Sequence, residues 1–169
     1  VKIKFGLEIC YFKELEDLVI ELTKGKDFDF LLGSVHFVDN FAFDHKEEHW
    51  YGINVDEIYQ RYFETSILLA RSCIYDGIAH PDLIKLFGHK PTYSLTNYYE
   101  SLAKELSKSN MYAEQNSGAF RRCPNTTTLG MDKEMLKIMR NNNVRIVTVS
   151  DAHCPEDVGD RIWELNNCF

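Results

Sequence analysis

A surplus of positive charge is missing from this chain: 19 Lys and Arg stand against 26 Asp and Glu in 169 residues, a formal net charge of −7. That balance argues against a general nucleic-acid or anionic-membrane surface, while leaving room for a local basic site that meets a phosphate. Paired cysteines are missing too. The five present, Cys10, Cys73, Cys123, Cys154 and Cys168, are odd in number, scattered and without a Cys-x-x-Cys pair. They fit reduced thiols in a cytosolic protein better than a disulfide framework or a structural zinc site. No signal-like segment opens the chain, and no apolar run approaches the roughly 20 residues that span a bilayer. Internal repeats, low-complexity tracts and interdomain linkers are absent as well. What is present is ordinary globular material, 44% hydrophobic and 27% charged, in a length that suits one domain with a substantial core. The expectation is a single domain over residues 1–169, cytoplasmic, with neither nucleic acid nor membrane as partner.

The hydrophobic pattern switches between two periods. Val1–Ile9 alternates, with Val1, Ile3, Phe5, Leu7 and Ile9 on one face and Lys2, Lys4, Gly6 and Glu8 on the other, which predicts a strand with one apolar face. Phe12, Leu15, Leu18, Val19 and Leu22 then follow helical spacing, with Lys24-Gly25 as the stop. Phe28–His36 is a second strand, in which Gly33 permits close packing. Phe37–Ile53 is a long aromatic and polar loop, of the kind that is functional or mobile. Asn54, followed by Glu57, predicts a capped helix through about Cys73, burying Ile58, Tyr62, Ile67, Leu68 and Cys73. A short strand, Tyr75–Ala79, ends at His80 before Pro81. A helix over Thr96–Lys108, a strand over Met111–Gln115 broken by Ser117-Gly118, and a helix over Asp132–Arg140 come next. Val144–Val149 is apolar on both faces, as a strand covered on both sides would be. From Pro155 the pattern turns helical, with Glu156 and Asp157 in the first turn. Such alternation of strand and helix predicts parallel α/β architecture with right-handed crossovers.

Each strand delivers a polar or metal-capable residue at its C-terminal end: Glu8, His36, His80, Glu114 with Asn116, and Asp151 with His153. Sites of parallel α/β folds assemble on that rim, and mixed carboxylate and imidazole donors suit a hard or borderline metal ion. Any one of these histidines alone reads as a satisfied structural residue; their convergence on successive strand ends points to a site. Asp151 and His153 would leave on the same side of a continuing strand, or else Ser150 or Asp151 caps a turn before Pro155. Arg121-Arg122 read as a phosphate contact or as solvated loop charge. Asn116 orients a ligand or sits in a turn, while His45, His49 and His89 read as surface residues of polar loops.

Gly6-Leu7-Glu8-Ile9, Gly33-Ser34-Val35-His36, Ile78-Ala79-His80-Pro81, Glu114-x-Asn116-Ser117-Gly118 and Ser150-Asp151-Ala152-His153 resemble, in that order, motifs of the polymerase-and-histidinol-phosphatase (PHP) superfamily. Gly33-Ser34-Val35-His36-Phe37, continued by Phe41-Ala42-Phe43-Asp44, resembles its histidinol-phosphatase branch. The resemblance implies a distorted (β/α)7 TIM-like barrel with up to three divalent metal ions, zinc, iron or manganese, at its C-terminal rim. It implies a phosphomonoesterase that hydrolyses L-histidinol phosphate in histidine biosynthesis. Glu8 would then be the bridging carboxylate, with His36 and His80 completing one ion's ligands. Asp151 would bind a neighbouring ion shared with Glu8, and His153 a third; Glu8, Asp151 and His153 form the implied catalytic set. Arg121 or Arg122, Asn116 and Asp44 are the implied substrate contacts, Asp44 facing the cationic end. The family pattern opens with a His-x-His and carries two further metal histidines before its glutamate strand, and none of the four is found here. The expectation is therefore an N-terminally incomplete barrel of about five strands. It would hold at most one ion firmly, turn over weakly or not at all, and self-associate through open sheet edges. The alternatives are another PHP phosphoesterase, nuclease-like or phosphosugar-directed, and a degenerate metal-binding or interaction module.

Overall fold

A computed structural model describes residues 2–167; Val1 and Cys168 lie outside the described residues. In chain order the elements are β1 (Gly6–Cys10), α1 (Glu16–Thr23), β2 (Phe30–Ser34), β3 (Phe37–Val38), β4 (Phe41–Ala42), α2 (Val55–Ser72) and β5 (Gly77–Ile78). They continue with α3 (Thr96–Lys108), β6 (Tyr112–Asn116), α4 (Gly118–Arg122), α5 (Lys133–Asn141), β7 (Ile146–Val149) and α6 (Ile162–Asn167). Strands β3 and β4 form a small antiparallel hairpin. The other five make one parallel sheet in the order β1-β2-β5-β6-β7. This is the expected α/β alternation, and the sheet stays open: among the described residues β1 and β7 each pair on one side only.

Local chemistry accounts for the helices. The Asn54 side chain accepts the Glu57 N–H at the start of α2, and Cys73 closes the helix in the left-handed region at φ 55°. Asp132 caps α5 by accepting from the N–H groups of Glu134 and Met135, and the helix buries Met135, Leu136 and Met139. Close packing of α2 on the sheet depends on Gly33, where a Cβ would meet Leu69 and Tyr75 at 3.0 Å.

Several expectations change. The buried stripe of α2 is Tyr59, Tyr62, Phe63, Ser66, Leu69 and Ala70, while Leu68 and Cys73 are exposed. Its aromatics decide the face, since Phe63 packs edge-on to Tyr99 of α3 at 5.4 Å and Tyr62 edge-on to Phe43 at 5.2 Å. Residues 37–53 are built rather than loose: the hairpin leads to a 3-10 turn, Glu47–Trp50, whose buried Trp50 donates from Nε1 to the Phe43 carbonyl at 2.8 Å. Trp50 also stacks on His89 at 4.5 Å, so His89 is a packed residue and not a surface one.

The two edge strands are less covered than their sequences predict. Only Val144 is buried near β7; Ile146–Val149 stay partly exposed because β7 is the last strand of the sheet. At the other edge Ile3 is 86% and Phe5 66% exposed, and Leu15, Leu18, Ile20 and Leu22 of the α1 region also face solvent. Alternation creates an apolar face there, but no described residue covers it. No helix among the described residues is long and apolar enough to cross a membrane.

Candidate metal centre

Parallel pairing of β1, β2 and β5 brings their C-terminal ends together, with Glu8 opposite Leu32 and Gly33 opposite Ile78. Glu8 lies within β1, whereas His36 and His80 each sit two residues past their strand. Oε1 of Glu8 is 3.2 Å from Nε2 of His36 and 3.4 Å from Nε2 of His80, and the two imidazoles meet edge to face at 5.0 Å. The three donor atoms lie within 4.8 Å of one another. Metal–ligand bonds of about 2.0–2.1 Å in a tetrahedral shell set donors roughly 3.3–3.4 Å apart, so the residues fit a single ion. Two nitrogens and a carboxylate oxygen suit zinc, iron or manganese alike.

Electrostatics around the cluster favour charge on Glu8 and His36. Burial alone would raise the Glu8 carboxyl, but hydrogen bonds from His36 and His80 and the charge of His80 hold it well below the usual carboxylate range. Burial likewise opposes charge on His36, yet hydrogen bonds to Asp44 and Glu8 raise the imidazole to about 9. Asp44, whose burial would raise it, is held low by the hydrogen bond and charge of His36, helped by Arg122.

The cluster opens into a cavity of about 530 Å³ that is also lined by Asp44, Arg121, Arg122, Asp151, His153 and Asp157. Eight of the residues singled out in the sequence therefore share one space. Asp151 and His153 line it without joining the three-residue cluster. The strand does not continue through them, because Asp151 turns into the left-handed region at φ 51°. His153 is exposed, with Nδ1 3.1 Å from the Asp151 carbonyl. Gly118 makes room for Asp151: a Cβ there would lie 2.5 Å from its Oδ2 and 3.0 Å from Oδ1 of Asn116.

The neighbouring arginines divide sharply. Arg121 donates to the carbonyls of Ser150 at 2.8 Å and Asp151 at 2.7 Å, and pairs with Asp157 at 3.2 Å and Asp160 at 3.4 Å. Arg122 is half-exposed; it donates from Nη2 to the Asp44 carbonyl at 2.6 Å, with Nη1 3.8 Å from the Asp44 carboxylate. Both stand on the short helix α4 rather than in a loop. Asp44 turns its Oδ2 to Nδ1 of His36 at 2.9 Å. Asn116 is buried away from the cavity, donating to Glu114 at 3.1 Å and accepting the Gly118 N–H at 2.6 Å.

The sequence marks Glu114 as a strand end and part of a family motif, without a role in the site. It is buried, accepts the His80 N–H at 3.2 Å and so braces a cluster residue; burial pushes its carboxyl up. The signal was Glu114-x-Asn116, two positions on one face of β6. Asp157, anticipated only as part of a helix first turn, is a cavity wall that anchors Arg121.

A sequence profile of the PHP domain matches residues 1–118. Proteins named probable histidinol-phosphatase from Deinococcus radiodurans and Schizosaccharomyces pombe are each 26% identical to the chain, over 164 and 173 residues. Both matches cover 94% of the chain but only 60% and 56% of those proteins, so the chain spans under two thirds of their length. A solved structure of a putative histidinol phosphatase from Listeria monocytogenes superposes with a TM-score of 0.79 at 16% identity, over 93% of this chain and 66% of that one. Histidinol phosphate phosphatase from Lactococcus lactis, solved with Zn, L-histidinol and phosphate, gives a TM-score of 0.61 at 16% identity, over 87% and 69%.

Proposed function

The chain belongs to the PHP domain family, and on that basis we propose that it is a metal-dependent phosphomonoesterase of histidinol-phosphatase type, hydrolysing L-histidinol phosphate to histidinol and phosphate. One observation carries this reading: the Glu8, His36 and His80 donors and the half-exposed guanidinium of Arg122 face the same cavity. The names of the curated relatives, and the zinc, histidinol and phosphate bound by the Lactococcus lactis protein, support the substrate class and zinc as the ion.

Glu8, His36 and His80 would hold the ion, which when bound supplies Lewis acidity towards water and the phosphoryl group. Arg122 is the proposed phosphate ligand, because its planar donor pair reaches the cavity with one N–H committed to Asp44. Arg121 holds the wall that carries Asp151 and His153, the residues proposed to meet further ions. Glu114 keeps the His80 backbone in place behind the cluster. Because a single three-donor cluster is gathered among the described residues, turnover is expected to be weak while binding persists. A phosphoesterase acting on nucleic acid is the less favoured reading, since the net charge of −7 repels a polyanion.

Calorimetric binding to the zinc-loaded chain tests the proposal, with L-histidinol phosphate compared against a nucleoside monophosphate and a sugar phosphate. Zinc-dependent binding that prefers L-histidinol phosphate and is lost in Glu8→Gln is the expected result. Preference for the nucleotide or the sugar phosphate, or no zinc-dependent binding of any of them, would overturn it.

A further inference from the structure

We propose that Asp44 is a positioning residue for His36, fixing which imidazole nitrogen is turned to the metal cluster. The inference rests on the reading of Glu8, His36 and His80 as ligands of one ion. Oδ2 of Asp44 lies 2.9 Å from Nδ1 of His36, while Nε2 on the other side of the ring faces Oε1 of Glu8 at 3.2 Å. A carboxylate only accepts, so Nδ1 carries the proton shared with Asp44. A neutral His36 must then present the bare lone pair of Nε2 to the cluster. Carboxylates in this position orient a metal-binding imidazole and raise its basicity.

Asp44 is itself fixed from several directions. The residue is 5% exposed, and its neighbour Phe43 is fully buried against Tyr62. The Phe43 carbonyl accepts from Trp50 Nε1 at 2.8 Å, and the Asp44 carbonyl from Arg122 Nη2 at 2.6 Å. A carboxylate so buried is costly without a partner. The side-chain hydrogen bond at Oδ2 is to His36; Oδ1 is buried with no hydrogen bond among the described residues, and Nε2 of His45 lies 4.0 Å from it.

His80 supplies an internal contrast. Its Nδ1 is buried with no hydrogen-bond partner among the described residues, so packing and the Glu8 contact orient that ring. Loss of Asp44 should therefore act on one imidazole and leave the other alone. The same geometry moves Asp44 from the cationic end of a substrate to a place behind a ligand. Through its carbonyl it also joins Arg122 to His36, the phosphate side of the cavity to the metal side.

Zinc affinity measured by competition with a chromophoric chelator, in wild type, Asp44→Asn, Asp44→Ala and His36→Ala, tests the inference. NMR of the imidazole nitrogens reads which atom of His36 holds the proton. Zinc binding is expected to weaken by about 10-fold in Asp44→Asn and towards 100-fold in Asp44→Ala. The zinc-loaded wild type should carry its His36 proton on Nδ1, and the zinc-free Asp44→Ala should show both tautomers. Either variant, folded, binding zinc within about twofold of wild type, or a wild-type proton on Nε2, would overturn the inference. Should Asp44→Ala fail to fold, Asp44→Asn and the wild-type tautomer decide by the same criteria. Failure of the underlying metal reading looks different: wild type and His36→Ala would then bind zinc equally.

Discussion

Arg121 donates from Nη2 to the main-chain oxygen of Asp151 at 2.7 Å, joining the short helix α4 to the loop that follows β7. With Ser150, Asp157 and Asp160 also in contact, each of the three nitrogens of that guanidinium has a partner within the chain. Its neighbour Arg122 has donors left over the cavity.

Arg122→Ala is expected to weaken phosphate binding by roughly 10- to 100-fold, the scale of one lost charge-assisted contact of about 1.5–3 kcal/mol, with little change in melting temperature. Arg121→Ala is expected to cost about 1–3 kcal/mol of stability, read by thermal unfolding. The reversed pattern, with Arg121→Ala sparing stability and cutting phosphate affinity, would count against the division between them.

Alkaline stability should follow the tyrosines. Burial pushes Tyr75 and Tyr112 up to about 12, and also raises Tyr59, Tyr62 and Tyr99 well above the ordinary tyrosine value. The unfolded chain releases these protons near pH 10, so above that pH the folded state binds more protons than the unfolded state. Stability is therefore fully present below about pH 10 and is lost as pH rises through about 12. Melting temperatures at pH about 8 and about 11 should fall accordingly, with tyrosinate absorbance rising together with unfolding. Complete tyrosinate absorbance in a chain that still shows folded circular dichroism would contradict this.

At the β1 edge, where among the described residues the strand pairs on one side only, Ile3, Phe5 and Leu7 are exposed, a template for strand-to-strand association. Sedimentation is expected to show concentration-dependent association that Ile3→Lys combined with Phe5→Lys reduces. A monomeric profile of the unaltered chain at high concentration would refute it.

Local signals carried much of the fold. Thr96–Lys108 has the same bounds in sequence and structure, and Asn54 caps its helix as its spacing with Glu57 predicts. Strand ends were legible because the two-residue period runs to Ile9, one residue short of where β1 stops pairing at Cys10, and Pro81 after His80 bars further pairing beyond β5. Tertiary direction was not. Nothing in the dipeptide Arg121-Arg122 tells which side chain reaches a loop some thirty residues on. The φ of 51° at Asp151 depends on the turn after β7, not on the alternation before it. An alternating segment such as Val1–Ile9 likewise declares an apolar face without declaring what covers it. Asp44 reads from the sequence only as an implied contact for the cationic end of the substrate, because its partner, His36, lies across a hairpin.

The most direct measurement is the number of zinc ions held by each chain, counted by native mass spectrometry in wild type, Glu8→Gln and His80→Ala. One tightly held zinc per chain, lost in both variants, is the expected result, since Glu8, His36 and His80 form the three-donor cluster found among the described residues. No bound zinc in the wild type, or two or more tightly bound ions that survive both substitutions, would contradict it.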